Sequence, residues 1–176
     1  MNKKILVTYA SKYGATREIA ARIGDVLCQA GLDADVVPVT DVRDVASYGA
    51  VILGSAVYIG KWMKSACEFL ARHEMDLAKR PVWLFSSGPT GEGDAVALLD
   101  GWRLPPDQKP LIARIQPRDI VVFHGNISLK RVNFIEKKAV QALKKPFGDF
   151  RNWDAITTWA TSIADVLKEA EPLSVT

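Results

Sequence analysis

Apolar and polar positions follow two alternating periods along this chain. Ile5, Leu6, Val7 and Tyr9 form a short β-rich run, read as a first strand. Over 15–30, Ile19, Ile23 and Leu27 recur at i, i+4 and i+8 beside Ala20 and Ala30, which predicts a helix closed at Gly31. DADVVPV, 33–39, predicts a second strand whose Pro38 suits a sheet edge, and a short helix is expected over 41–47. AVILGS, 50–55, is continuously apolar, as a strand buried on both faces requires. A loop over 54–62 then leads to a helix over 62–73 with Met63, Ala66, Cys67 and Leu70 on one face. PVWLFSS, 81–87, and DIVVFHG, 119–125, read as the fourth and fifth strands, separated by a Gly- and Pro-rich stretch, 88–118, of loop with short helices. A basic amphipathic helix is expected over 132–145, with Ile135, Ala139, Ala142 and Leu143 along one face. A last helix, 152–170, stacks Trp153, Ile156, Trp159, Ala160, Ile163 and Leu167.

Strands alternating with helices imply βαβ crossovers. The fold expected is α/β: a three-layer sandwich whose five-stranded parallel sheet, in order 2-1-3-4-5, carries helices on both faces. One domain is expected over 1–176, with a basic helical insertion at about 128–147.

Composition adds exclusions. With 48% hydrophobic and 24% charged residues the chain has the profile of a soluble protein, and no apolar run approaches the roughly 18 residues of a membrane span. The first strand begins almost at Met1, so no secretory leader is expected. Cys28 and Cys67 lack a CxxC arrangement and read as reduced thiols of a cytoplasmic protein. The net charge of +3 is uneven: KRVNFIEKKAVQALKK, 130–145, carries six Lys or Arg against one Glu. That single patch lacks interleaved stacking aromatics beyond Phe134, which argues against nucleic acid as a partner.

In an open parallel sheet, ligands bind outside the carboxyl ends of the strands. The loop after the first strand is Ala10 to Thr16, ASKYGAT, with hydroxyls at Ser11, Tyr13 and Thr16 and main-chain amides running into a helix start. Such a turn suits an anion. It lacks GxGxxG, which weakens a dinucleotide reading, and GxxxxGK followed by Ser or Thr, which disfavours a P-loop NTPase, so the pattern points to a mononucleotide. The second loop, GSAVYIGKW, sets Tyr58 and Trp62 around Gly60, and flat aromatics beside a phosphate site suit a planar ring such as isoalloxazine. The third, SSGPTGEG, offers small hydroxyls and a main chain able to approach a ring. Candidate cofactor-binding residues are therefore Ser11, Lys12, Tyr13, Gly14, Ala15 and Thr16; Ala56, Val57, Tyr58, Ile59, Gly60 and Lys61; and Ser87, Gly88, Pro89, Thr90 and Gly91. His73 and His124 read as structural, and Glu92 and Asp94 as solvated loop charges.

Ser11 to Thr16 resembles the phosphate loop of the flavodoxins, Ser/Thr-x-Thr-Gly-x-Thr, with Tyr13 in place of a threonine. LGSAVYIGKWMKSACEFL (53–70), VFHGNI (122–127) and GDFRNWDAITTWA (148–160) are similar to segments of the flavodoxin-domain branch that contains menaquinone-dependent protoporphyrinogen oxidase. The resemblance implies a flavodoxin-like fold and non-covalent FMN that carries the chemistry, so that no side chain is required as an acid–base catalyst. It implies electrons taken from a reduced small-molecule substrate and passed to a quinone, to another acceptor or to a redox partner protein. Two alternatives stay open: a flavodoxin-like electron carrier with no substrate of its own, and a non-flavin regulatory domain on the same fold. Lys61 is a candidate cation for stabilising a reduced ring, and the basic segment 130–145 is a candidate contact with an anionic membrane, peripheral at its inner face, or with an acidic partner.

Overall fold

A computed structural model describes residues 4–128, 130–142 and 146–170. Its strands are β1 (Ile5–Ala10), β2 (Ala34–Pro38), β3 (Ala50–Tyr58), β4 (Lys61–Trp62), β5 (Val82–Ser87), β6 (Asp119–Phe123), β7 (Asn126–Ile127) and β8 (Gly148–Asp149). Its helices are α1 (Ala15–Gln29), α2 (Lys64–Arg72), α3 (Glu74–Leu77), α4 (Lys109–Ile115), α5 (Phe134–Ala142) and α6 (Trp153–Glu169). The main sheet runs β2-β1-β3-β5-β6, all parallel. This is the expected 2-1-3-4-5 order once the two-residue strands are set aside, and Pro38 lies on an edge strand where its missing N–H costs no ladder bond.

Period-two alternation explains the layers. Ile5, Val7, Ile52, Trp83 and Phe85 point to one face, where they meet Ile19, Ile23 and Leu27 of α1 and Ile156, Trp159 and Ile163 of α6. Their neighbours Leu6, Val51, Leu53, Val82 and Leu84 point to the other, against Ala66, Phe69 and Leu70 of α2 and Ile112 and Ile115 of α4. Because both faces are covered, the central strands carry continuous apolar runs, Ala50 to Leu53 in β3 and Val82 to Phe85 in β5. Each fully buried Leu or Ile contributes about 1.5–3 kcal/mol. Asn152 starts α6 by accepting a hydrogen bond at Oδ1 from the Ala155 N–H (3.0 Å).

Three expectations fail locally. No helix forms over 41–47: Val39, Val42 and Val45 are buried as irregular chain, and Asp44 Oδ1 accepts from the Ala46 N–H (2.8 Å), an Asx turn that competes with a helical start. The guanidinium of Arg80 completes the segment by donating to the carbonyls of Val45 and Tyr48. The stretch 54–62 is not a loop, because β3 runs on through Val57 and Tyr58, turns at Ile59 and Gly60 and returns as β4. Both turn residues have positive φ (49° and 67°), the backbone of a two-residue hairpin turn. Finally, the expected basic helix 132–145 is seen as α5, with Ile135 exposed and not on a packed face. Leu143, Lys144 and Lys145 lie outside the described residues.

Candidate functional site

The carboxyl ends of β1, β3, β5 and β6 converge on one cavity of ≈ 630 Å³. That volume is ordinary for a small-molecule site, about 300–1,000 Å³. The first wall is Ser11, Lys12, Tyr13, Ala15 and Thr16. Gly14 has φ 90°, a conformation glycine adopts without Cβ strain, and this left-handed residue turns the chain from β1 into α1. Ser11 Oγ accepts the Gly14 N–H (3.0 Å), which leaves the Ser11 hydroxyl proton available to another acceptor. Gly14 brings no side-chain cap, so the first amides of α1 and its positive end stand at this wall.

The second wall is Ala56, Val57, Tyr58 and Ile59, with Tyr58 edge-on to Tyr13 at 6.1 Å between ring centroids. Burial pushes the Tyr58 phenol up to about 12, so it remains a neutral donor at any ordinary pH. Ser87, Gly88, Pro89 and Thr90 make the third wall. Thr90 is 3% exposed and its Oγ1 has no hydrogen-bond partner among the described residues. A buried hydroxyl without a partner is a costly feature unless something polar meets it.

Sequence reasoning missed a fourth wall and a roof. Gly125, Asn126 and Ile127 follow β6, Leu99 closes one side, and Val132, Glu136, Ala139 and Val140 cover the top from α5 and the turn before it. The loops are stacked closely: a Cβ on Gly88 would sit 3.0 Å from Val57, and one on Gly125 would sit 3.0 Å from Gly88 Cα. Gly125, two residues beyond the end of β6, was the available signal for the fourth wall. For the roof it was the Asn133-Phe134-Ile135-Glu136 spacing of a capping box.

Of the candidate residues, Gly14, Gly60, Lys61 and Gly91 do not reach the cavity wall. Trp62 is not at the mouth at all: it is buried in the core, where its Nε1 donates to Ser86 Oγ (2.8 Å). His73 and His124 stay clear of the wall, as do Glu92 and Asp94; Asp94 Oδ1 accepts the Ala97 N–H (2.8 Å).

Charge is concentrated at the first wall. Lys12 pairs with Glu136 across the cavity mouth, and together with the Tyr13 hydroxyl and the Asn133 N–H it holds the Glu136 carboxyl down to about 2. Arg131 donates to the Tyr13 carbonyl (2.9 Å) and meets Glu18 (3.3 Å). Arg151, 4% exposed, pairs with Glu18 and Asp149 (both 2.6 Å) and lies 4.6 Å from the Trp153 ring centroid. Burial alone would raise the Glu18 carboxyl, but Arg151 and Arg131 outweigh it and leave it below its ordinary value; Arg151 likewise lowers Asp149.

A sign follows for acid stability. The folded form of these two carboxyls binds protons less readily than the unfolded form, so their contribution is complete above the ordinary carboxylate range. It is lost as pH falls through that range toward their lowered values. Thermal melts should therefore drop steadily below about pH 5. Arg151→Met, which keeps the stem over Trp153, should be less stable at pH 7 and show a shallower acid decline; parallel curves would contradict this role.

Comparison with known proteins agrees with the geometry. Escherichia coli (strain K12) protoporphyrinogen IX dehydrogenase [quinone] is 28% identical over 85 residues, 47% of this chain and 47% of that protein, so the match spans about half the length of the curated relative. Among solved structures, a flavodoxin from the domain Archaea superposes with a TM-score of 0.61 at 15% identity, covering 94% of this chain and 99% of the other. The flavodoxin of Streptococcus pneumonia TIGR4 gives 0.58 at 19%, covering 93% and 99%. At those identities the likeness concerns the fold. The flavodoxin domain model matches residues 6–153, from within β1 to the start of α6, and the chain therefore belongs to the flavodoxin domain family.

Proposed function

We propose that the cavity holds FMN non-covalently and that the protein is an FMN-dependent oxidoreductase, passing electrons from a reduced small-molecule substrate to a quinone or another acceptor. The observation that carries this reading is the convergence of an anion-suited turn, a partnerless buried Thr90 hydroxyl and an apolar, roofed interior on one cavity. The amides of Ser11 to Thr16, with the hydroxyls of Ser11 and Thr16, are placed to receive the phosphate. Tyr13, Ala56, Val57 and Tyr58 on one side and Ser87 to Thr90 on the other are placed to receive the ring, with the Thr90 hydroxyl meeting a polar edge. FMN, when bound, supplies electron transfer in one- or two-electron steps, which none of these side chains provides. Leu99, Ile127, Val132 and Val140 give the same cavity apolar lining beside it. The Escherichia coli relative, a protoporphyrinogen IX dehydrogenase with a quinone named as acceptor, supports the substrate class.

A second reading, an electron carrier without its own substrate, is favoured by Ile59, which is 90% exposed at the hairpin tip beside the cavity and suits a docking surface. Absorbance with and without added FMN, followed by a titration, tests the cofactor; a colourless protein that takes up no FMN ends both readings. Steady-state turnover of protoporphyrinogen with a quinone then separates enzyme from carrier. Exposed Lys130, Arg131, Lys137 and Lys138 support peripheral contact with anionic lipid, each basic side chain being worth about 1 kcal/mol near such a surface. Vesicle co-sedimentation that falls with added salt is the corresponding check.

A further inference from the structure

The roof is attached differently from every other wall. No residue of α5 is buried, and the apolar side chains nearest its start, Phe134 and Ile135, are 71% and 77% exposed. The inward positions Val132, Glu136, Ala139 and Val140 face the cavity, not the core. Among the described residues, the ion pairs and hydrogen bonds that tie this stretch to the body run from Arg131 to the Tyr13 carbonyl and to Glu18, and from Lys12 to Glu136. Both ties end on the turn that begins α1 or on the first turn of that helix.

Glu136 is divided between two tasks. Its Oε2 accepts the Asn133 N–H (3.0 Å) while Asn133 Oδ1 accepts the Glu136 N–H (2.9 Å), a reciprocal capping box that fixes the start of α5. Its Oε1 takes Lys12. One carboxylate thus starts the roof helix and fastens it to the loop that we assign to the phosphate.

We propose that Glu136 is a positioning residue for cofactor retention: through Lys12 it latches α5 shut over the cavity, so that breaking this bridge speeds the escape of bound flavin. The proposal rests on the flavin reading above. It predicts a sign opposite to the simplest electrostatic expectation. A carboxylate near a phosphate repels it and occupies the nearest lysine, so if Glu136 were only a neighbouring charge, Glu136→Gln would free Lys12 and slow release. If Glu136 is the latch, the same change opens the roof and speeds release. Glutamine still serves the capping box, so the helix start is preserved.

The measurement is stopped-flow release of FMN and, separately, of riboflavin, followed by flavin fluorescence. Riboflavin lacks the phosphate, which removes the direct effect of Lys12 on an anion. Glu136→Gln should release both ligands about fivefold faster than wild type, a size appropriate to a partly exposed ion pair. For riboflavin, Lys12→Met should match it, and the double variant should be no faster than either single change, because both remove one interaction. Raising salt should speed riboflavin release from wild type and leave Glu136→Gln nearly flat. Release that is unchanged or slower in Glu136→Gln, or additive effects in the double variant, overturns the latch while leaving FMN binding in place. Wild-type protein that binds neither flavin overturns the reading beneath it.

Discussion

Gly54→Ala is expected to destabilise the protein by about 3 kcal/mol, which for a chain of this size lowers the melting temperature by about 6–12 °C. A Cβ at position 54 would stand 1.9 Å from Phe85 Cζ and 2.3 Å from both Cε atoms, so the alanine and the ring cannot coexist where they are. Gly54 and Phe85 are register partners in β3 and β5, and Phe85 is fully buried. The ring has nowhere to retreat: Phe123 and Trp159 lie at 5.9 and 6.1 Å and contact one another at 5.6 Å, and Trp159 is held by its Nε1 bond to Asp119 Oδ2 (2.8 Å). The strand must therefore shift, and it carries Ala56 to Ile59 of the cavity wall with it. Trimming the ring should relieve the clash, so Phe85→Leu combined with Gly54→Ala should cost clearly less than the sum of the two alone. Melting within 2 °C of wild type for Gly54→Ala would contradict this account of the sheet; ~1 °C is worth only a fraction of 1 kcal/mol.

Much of this architecture could be read from hydrophobic patterning, because continuous apolar runs such as 50–55 and 81–87 have few alternatives in a parallel sheet. The order of the strands follows from the alternation of strands with helices, which fits the doubly wound arrangement that the sheet has. What escaped the pattern was decided by single residues acting at a distance. Arg80 pins 45–48 from another part of the chain, so a stretch with helical spacing of valines stays irregular. Trp62 reads as an aromatic at a loop mouth until Ser86, 24 positions away, gives its indole N–H a partner in the core. The hairpin at Ile59 defied expectation because a β-branched residue with positive φ is an unfavourable choice, costing about 1–3 kcal/mol. The cavity roof was hidden for a different reason. The basic charge of 130–145 draws the eye to what the segment shows to solvent, whereas its contribution to the cavity comes from its single acidic residue, Glu136, and from small apolar side chains between the lysines.

Replacing both hydroxyls of the first wall tests the assignment of that turn most directly. Ser11 Oγ is already an acceptor for the Gly14 N–H, so its proton is the group left to offer an anion. Thr16 is 1% exposed and lines the same cavity one residue into α1. Hydrogen bonds to charged acceptors contribute about 1.5–3 kcal/mol each. Ser11→Ala with Thr16→Ala should then weaken FMN binding by about 3 kcal/mol, or about 150-fold in Kd. Losing the Ser11 acceptor also loosens Gly14, so a change in cavity shape has to be told apart from a lost phosphate contact. Riboflavin does this, because it presents the ring without the anion. Titration of the double variant should show FMN affinity falling toward that of riboflavin, with riboflavin itself nearly unchanged. Equal losses for the two ligands would mean that the turn acts through the shape of the wall. Unchanged FMN affinity would remove the phosphate from Ser11 to Thr16 altogether, and the helix end would need another occupant.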